Sequence, residues 1–348
     1  MAEKILVNFE MTNAQAIRAI RQIKGELGEK LPRATKKANQ ALMRLGSQLA
    51  SVFSVALVAR GLRNTIRAFA DFQTATVNVQ NITEMTAAEM KILSQEVRML
   101  PPSLGTATEL MRGLYQVLSS GVPRENAVSF LAENAKAAKG NLADLTTTVN
   151  ASTSVLAAYG LETSETTAIL DAMTKTVDLG KLTFADLAQN VGKGIGIAAA
   201  AGTTYQELMA TMASLTLSGL SVEEAMTGIR NILVTTIKAK PGESMKKFGV
   251  EMSVAALKAQ GFAGYMGSVA EAVKGNDEAT AALFPNIRAM NAAMSLASEQ
   301  GGKRWNEILD QINNSAGKVE SNFERMSNTI SAKMATLGAV MELSLIHI

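Results

Sequence analysis

Helix-start signals recur along the middle of the chain at intervals that leave room only for short helices. Each signal is a Ser, Thr or Asn that can cap a helix N-terminus, followed three residues later by an acid. The six pairs are Thr86 with Glu89, Thr106 with Glu109, Asn141 with Asp144, Thr183 with Asp186, Thr204 with Glu207, and Ser221 with Glu224. Two more starts are expected, at Pro123 as the first helical residue and near Thr163 and Ser164. Starts about 17 to 22 residues apart predict helices of about 15 residues joined by turns of about five.

The stretch from residue 183 to 237 holds the two helices that the sequence specifies most strongly. Their apolar residues recur with helical period at Tyr205, Leu208, Met209, Met212 and Leu215, and then at Val222, Ala225, Met226, Ile229, Leu233 and Ile237. Between them, Gly219 suits a left-handed helix end, and Ser221 with Glu224 forms the next start. This pattern predicts two antiparallel helices, each with one apolar face.

Composition favours helices and removes most enzyme chemistry. Aromatic residues make up only 4% of the chain against 47% hydrophobic residues, and there are only six prolines. There is no cysteine and a single histidine, His347. Thiolate nucleophiles, Cys-based zinc sites, paired-histidine metal sites and a Ser-His-Asp triad are therefore excluded or implausible. We expect no catalytic, cofactor-binding or metal-binding residues and no cofactor.

These patterns together predict an all-α fold, an array or bundle of short antiparallel helical hairpins with longer N-terminal and C-terminal helices. The motif Ala143-Asp144-Leu145 recurs as Ala185-Asp186-Leu187, which suggests a helical unit of about 40 residues.

The N-terminal part divides into a basic arm, residues 1–48, and an apolar helix, residues 49–70. Nine Lys or Arg face four Glu before Ser47, which fits either a solvated helix face or a surface for an anionic partner. Lys4 to Phe9 could form a strand. The apolar run from Leu49 to Ala59 is too short for a bilayer, which needs roughly 20 apolar residues, so we expect a buried helix or an interfacial one.

The C-terminal part, residues 301–348, changes pattern again. Its apolar residues approach heptad spacing, which predicts the start of a long helical rod or coiled coil, or alternatively a helix that lies on the core. They are Trp305, Ile308, Leu309, Ile312, Val319, Phe323, Met326, Ile330, Met334 and Leu337. The chain ends in apolar residues, so we expect a truncated reading frame in which Leu345 to Ile348 are not native.

Several motifs have both a functional and a structural interpretation. The run from Gly192 to Gly196 lacks phosphate-loop spacing and follows a helix, so we interpret it as a close helix contact or a flexible joint. Glu224 caps a helix, which leaves Glu223 without a second acid for catalysis. Trp305 is expected to be a packing anchor. Met209, Met212, Met226, Met290 and Met294 are expected to fill the core, with an adaptable partner surface as the alternative.

The middle of the chain resembles the core of bacteriophage tail tape-measure proteins. The resemblance rests on the order of Phe-x-Asp-Leu at Phe184, Ala-Gly-Thr-Thr-Tyr-Gln-Glu-Leu at Ala201, Ser-Gly-Leu-Ser-Val-Glu-Glu-Ala at Ser218 and Gly-Ile-Arg-Asn-Ile-Leu at Gly228. It covers roughly residues 71–300, the predicted tape-measure core.

The resemblance implies a structural phage or prophage virion component that scaffolds tail-tube assembly and sets tail length. Its implied partners are the tail tube protein, tail assembly chaperones and baseplate or tail-tip proteins. It would act as an oligomer in the tail lumen, after assembly in the host cytoplasm, with membrane contact during DNA ejection. The net charge of +3 gives no reason to expect specific nucleic-acid binding. The alternatives are a helical-repeat interaction scaffold outside a virion and a membrane-active helical protein.

Overall fold

The computed structural model describes residues 55–239, 249–273, 294–296 and 298–346, and every regular element among them is helical. The α-helices are α1 (Val55–Ile82), α2 (Ala87–Met99), α3 (Ala107–Ser119), α4 (Arg124–Gly140), α5 (Leu145–Tyr159), α6 (Thr166–Leu179), α7 (Phe184–Val191), α8 (Ile195–Ala201), α9 (Tyr205–Leu217), α10 (Val222–Lys238), α11 (Val254–Val273), α12 (Glu299–Asn313), α13 (Lys318–Ser327) and α14 (Ile330–Ile346). Short 3₁₀ helices lie at Pro102–Leu104 and Thr163–Glu165. The all-α prediction is confirmed.

Contacts within the chain divide it into residues 1–64 and residues 65–348. The predicted basic arm and the predicted strand from Lys4 to Phe9 lie outside the described residues. Helix α1 continues through Asp71, so the boundary predicted after residue 70 falls within one helix of 28 residues. The domain boundaries proposed from the sequence stay predictions.

Helix starts follow the predicted signals closely. Thr86, Thr106, Thr183, Thr204 and Ser221 each accept a hydrogen bond from the backbone of an acid three residues on, and that acid accepts one from the cap residue in return. Two predictions were wrong in detail. Asp144 caps α5 itself, through Thr147 N at 2.9 Å, whereas Asn141 ends α4. Pro123 is the cap of α4 rather than its first residue.

Four helices end at a glycine whose φ is positive, at Gly121, Gly160, Gly202 and Gly219. After each glycine the next backbone N–H bonds back to a carbonyl five residues earlier, as in Leu161 N to Leu156 O at 2.9 Å. Leu142 occupies the equivalent position after α4 with φ 54°. It is the one described non-glycine residue with positive φ, and its side chain is 80% exposed.

Helices α2 to α10 pack on their neighbours and form an array around one apolar core. The predicted pair α9 and α10 buries its periodic residues, with Tyr205 half-buried and Ile237 exposed. The interval that begins at Thr183 does not hold one helix of about 15 residues but two short ones, α7 and α8. They separate near Gly194, where a Cβ atom would clash with the side chain of Met226.

Helix α11 packs on α12 and α8 and changes direction at Gly261, whose φ is 67° and ψ is 168°. The Phe262 N–H beyond this kink donates to Glu207 Oε1 at 3.0 Å. The other oxygen of Glu207 accepts from Thr204 N at 2.9 Å. One carboxylate therefore accepts hydrogen bonds from a backbone N–H group at the start of α9 and from another at the start of the second half of α11.

The last three helices run back along the array in reverse order. Helix α12 packs on α9 and α6, α13 on α6 and α4, and α14 on α3 and the 3₁₀ helix at Pro102–Leu104. We call residues 298–346 the clasp, and its contact with the array the seam.

The prediction of one long rod from Lys303 was wrong, because the clasp consists of three separate helices. The helix stops at Asn314, restarts after Gly317 with φ 79°, and stops again at Asn328. Trp305, Ile308 and Ile312 are buried. Packing of these residues on the array agrees with the alternative of helices that lie on the core.

Candidate interaction surface

The seam buries a row of apolar side chains that belong to the clasp. Trp305, Ile308, Ile312 and Val319 are each less than 5% exposed and belong to the continuous core. The indole Nε1 of Trp305 donates to Thr211 Oγ1 at 2.9 Å, so the polar atom of this side chain is satisfied inside the seam. The expectation that Trp305 is a packing anchor is confirmed.

Asp171 of α6 anchors the turn between α12 and α13. Its carboxylate is 3% exposed and accepts from Gly317 N at 2.8 Å and from Val319 N at 2.7 Å. These two groups lie at the start of α13, where backbone N–H groups have no partner within the helix. The helix dipole also favours a negative charge there. Asp171 therefore caps a helix that lies 146 residues further along the chain.

Ion pairs lie along the same seam. Lys318 Nζ is 2.5 Å from Asp178 Oδ2, and Lys136 Nζ is 2.9 Å from Glu320 Oε2 and 3.2 Å from Glu133 Oε1. The hydrogen bond to Glu320 raises the pKa of Lys136 above its usual range, with a smaller contribution from Glu133. All three pairs are partly exposed, so each makes a modest contribution to stability.

Close backbone approach holds α13 against the end of α4. A Cβ atom on Gly140 would lie 3.0 Å from the backbone nitrogen of Phe323, a tight contact that would require the backbone of α13 to move by a few tenths of an ångström. Beside it, Asn322 Nδ2 donates to Asn141 Oδ1 at 3.4 Å. The glycine at the end of α4 thus allows α13 to lie this close to α4.

Helix α14 makes a lighter contact. Thr108 donates to Glu342 Oε1 through its backbone at 3.2 Å and its hydroxyl at 2.8 Å. Ala339 is buried, whereas Ile330 is 83%, Met334 64% and Leu337 47% exposed. A groove of about 400 Å³ runs between α14 and the array, beside the exposed Leu142. Ile330, Met334 and Leu337 thus leave most of their apolar surface exposed, whereas Leu343 of the same helix packs against the core.

The motifs weighed in the sequence have structural roles in the described residues. Glu224 caps α10, and Glu223 lies 3.7 Å from Lys193 in an exposed ion pair. Met209, Met212 and Met226 are buried as expected. Met294 is 60% exposed, so the core prediction was wrong for that residue, and Met290 lies outside the described residues.

Two further properties concern the described residues only. They contain no group of three or more Cys, His, Asp or Glu side chains that could hold a metal ion. Their helices include none with the length and apolar character needed to cross a membrane. The feature that stands out among the described residues is a contact surface. It consists of the polar groups of the seam and the exposed apolar side chains of the clasp.

Sequence reasoning missed Asp171. A lone acid among Ile169, Leu170, Ala172 and Met173 was a visible signal, because an acid within an apolar helix run needs a partner when it is buried. That partner is backbone, and nothing in the sequence identifies which backbone.

Known proteins similar to this chain are phage tail proteins. A family model described as phage-related minor tail protein matches residues 88–287. A probable tape measure protein of Clostridium phage phiCD119 (strain Clostridium difficile/United States/Govind/2006) is 26% identical over 353 aligned residues, which cover 93% of this chain and 36% of that protein. The tape measure protein of Pneumococcus phage Dp-1 is 22% identical over 313 residues, 87% of this chain and 27% of that protein. The chain spans about a third of the length of these curated relatives. No solved structure matches it.

Proposed function

The chain belongs to the family of phage-related minor tail proteins, and from this premise we propose that it forms the helical core of a tail tape-measure protein. One observation carries the proposal. The family match over residues 88–287 covers the helical array and continues beyond it, and both relatives named as tape-measure proteins align along nearly the whole chain.

Helix geometry indicates that the array itself contributes little to tail length. A continuous helix rises about 1.5 Å per residue, so 348 residues would span at most about 520 Å. In the array, helices of 7 to 17 residues fold back on one another and gain little length. We propose that the array is an assembly and docking element, and that the sequence beyond it in a full-length protein determines most of the tail length.

Deletions in the full-length gene test this division. Removal of 100 downstream residues in frame should shorten tails by about 150 Å if that region is helical. Deletion of a hairpin within the array should instead reduce the number of assembled tails without a proportional change in length. Tail lengths measured by electron microscopy decide the matter, and an unchanged length after the downstream deletions would contradict the ruler role.

We further propose that the partners are the tail tube protein, the assembly chaperones and the baseplate or tail-tip proteins. On this proposal the protein acts structurally, without catalysis, as an oligomer in the tail lumen after assembly in the host cytoplasm. Membrane contact during ejection would come from amphipathic surfaces, since no described helix is long and apolar enough to span a bilayer. Sedimentation with anionic vesicles tests this last point, and a chain that stays entirely in the supernatant would dismiss it.

A further inference from the structure

Helix α3 forms the floor of a groove that continues from α14 to α1. Glu109, Arg112 and Tyr115 lie at intervals of three residues and therefore share one face of α3. Three hollows follow this face, with volumes of about 400, 310 and 400 Å³. Glu109 and Lys139 line both the first and the second hollow, and Arg112 lines both the second and the third. Because neighbouring hollows share these residues, they form one continuous groove, which we call the α3 groove.

The end of the α3 groove beside α14 is largely apolar. Its walls include Leu142, Met326, Ala335 and Ala339. Leu142 has φ 54° and is 80% exposed, whereas the corresponding turns after four other helices use glycine. The left-handed conformation is unfavourable for leucine, and a side chain this exposed gains little from the array in return. A strained and exposed apolar side chain at the mouth of a groove indicates a contact with a partner.

The middle of the groove holds one positive charge without a counter-charge. Glu109 and Lys139 form an ion pair at 3.6 Å, and the Asp144 carboxylate accepts from Thr147 N at 2.9 Å. Among the described residues, the guanidinium of Arg112 has neither an ion pair nor a hydrogen bond. Arginine pairs best with a carboxylate, to which it can donate two parallel hydrogen bonds. The occupant should therefore carry an acidic side chain at this point.

The end of the groove beside α1 offers free amide groups. Asn78 and Asn81 lie three residues apart on α1, and Tyr115 lines the same hollow from α3. None of these three side chains has a hydrogen-bond partner among the described residues. An asparagine amide both donates and accepts, which matches the N–H and C=O groups of a peptide backbone. A helix uses those backbone groups internally, so this end of the groove fits an extended chain better than a helix.

We infer that the α3 groove binds an extended segment of a partner protein, which places an acidic side chain at Arg112 and a large apolar side chain against Leu142. Backbone groups of the same segment bond to Asn78 and Asn81. From Glu109 to Tyr115, α3 rises about 9 Å, a distance that about three residues of extended chain would follow. This recognition does not require the protein to measure tail length, so it holds or fails independently of the proposed function.

Peptide selection on the immobilised 348-residue chain tests the charge at Arg112. The probe is a library of displayed random dodecapeptides, and the readout is the consensus sequence of the peptides that bind. The wild-type chain should select Asp or Glu at one position, together with a large apolar residue. Arg112→Glu should select Lys or Arg at that same position, because the charge that the peptide must match is reversed.

Arg230→Glu is the matched control for the charge reversal. Arg230 is also an exposed arginine on a helix, without a partner among the described residues. It lies on α10 and lines none of the three hollows. Peptides selected by this variant should keep the acidic consensus of the wild type.

A synthetic copy of the selected peptide then tests each end of the groove by fluorescence anisotropy. Leu142→Gly should weaken binding about 10- to 100-fold, since the interface loses one buried leucine side chain. Leu142→Met keeps a large apolar side chain and should bind nearly as well as the wild type. Asn78→Ala combined with Asn81→Ala should weaken binding about tenfold through lost hydrogen bonds to the peptide backbone.

The expected result is an acidic consensus that reverses with Arg112→Glu and an affinity that falls with Leu142→Gly. The inference is wrong if the wild-type chain enriches no consensus, or if Arg112→Glu selects the same peptides as Arg230→Glu. A selected peptide that gains helical circular dichroism on binding would overturn the extended conformation. A chain that is dimeric in sedimentation velocity, and monomeric with Arg112→Glu, would show that a second copy occupies the groove instead.

Discussion

Replacement of Asp171 by Asn tests how strongly the seam depends on one buried carboxylate. The carboxylate accepts two backbone hydrogen bonds, at 2.8 Å from Gly317 N and 2.7 Å from Val319 N. An amide of the same shape offers one oxygen, so it keeps one bond and turns an N–H group toward the second donor. Loss of a charge-assisted bond and an unsatisfied buried donor together cost about 3 kcal/mol. The docked population should then fall more than a hundredfold relative to released chains.

Trp305 provides the assay because it is the only tryptophan in the chain and is buried in the seam. Its fluorescence should shift to longer wavelength when the clasp leaves the array, even while the array stays folded. We expect Asp171→Asn to lower the urea concentration at the midpoint of this transition, with little change in the helical circular dichroism of the array.

Asp178→Asn is the matched control for this prediction. Asp178 lies on the same helix and contacts Lys318, but the pair is partly exposed and should contribute at most about 1 kcal/mol. The reasoning fails if Asp171→Asn leaves the Trp305 midpoint within error of the wild type, or if Asp178→Asn lowers it equally.

Three smaller perturbations test other parts of the account. Leu142→Gly should stabilise the chain by about 0.5 kcal/mol in thermal melts, because it relieves the left-handed conformation and loses a side chain that is already exposed; a lower melting temperature would refute it. Gly140→Ala should weaken docking by about 1 to 3 kcal/mol, since its Cβ would press on the Phe323 backbone; an unchanged Trp305 midpoint would refute it. Lys136→Met should lower that midpoint slightly at neutral pH, and the difference should vanish as the pH rises past the raised Lys136 pKa, above about 10.5. A difference that persists at higher pH would show that the charge pair with Glu320 is not its cause.

Local signals predicted most helix starts and the helix end at Gly219. A cap and its acid lie three residues apart, and a left-handed glycine acts on the carbonyls of its own helix, so both are readable from a short stretch of sequence. The prediction that Asn141 caps a helix was wrong because it also rested on a short stretch of sequence alone. Its side chain is a good cap in general, but here it bonds to Ala137 O and Thr174 Oγ1, and Asp144 caps instead.

The packing of helices that are distant in the sequence could not be predicted from such local signals. The apolar spacing from Trp305 onward included the residues that the clasp buries, but it also included Ile330, Met334 and Leu337, which are exposed. It could not distinguish pairing with another helix from packing on the array. What decides between them is the shape and polarity of a surface assembled from α4, α6 and α9. Asp171 is the clearest case, because its partners are two backbone groups that lie 146 and 148 residues further along the chain.

Hydrogen exchange of the array with and without the clasp tests the central structural claim most directly. If residues 298–346 complete the core, a chain that ends at residue 297 should lose amide protection in α6 and α9, which pack on the clasp. Protection should persist in α10, which packs mainly on α7, α8 and α9. Equal protection of α6 and α9 in the two chains would contradict the account.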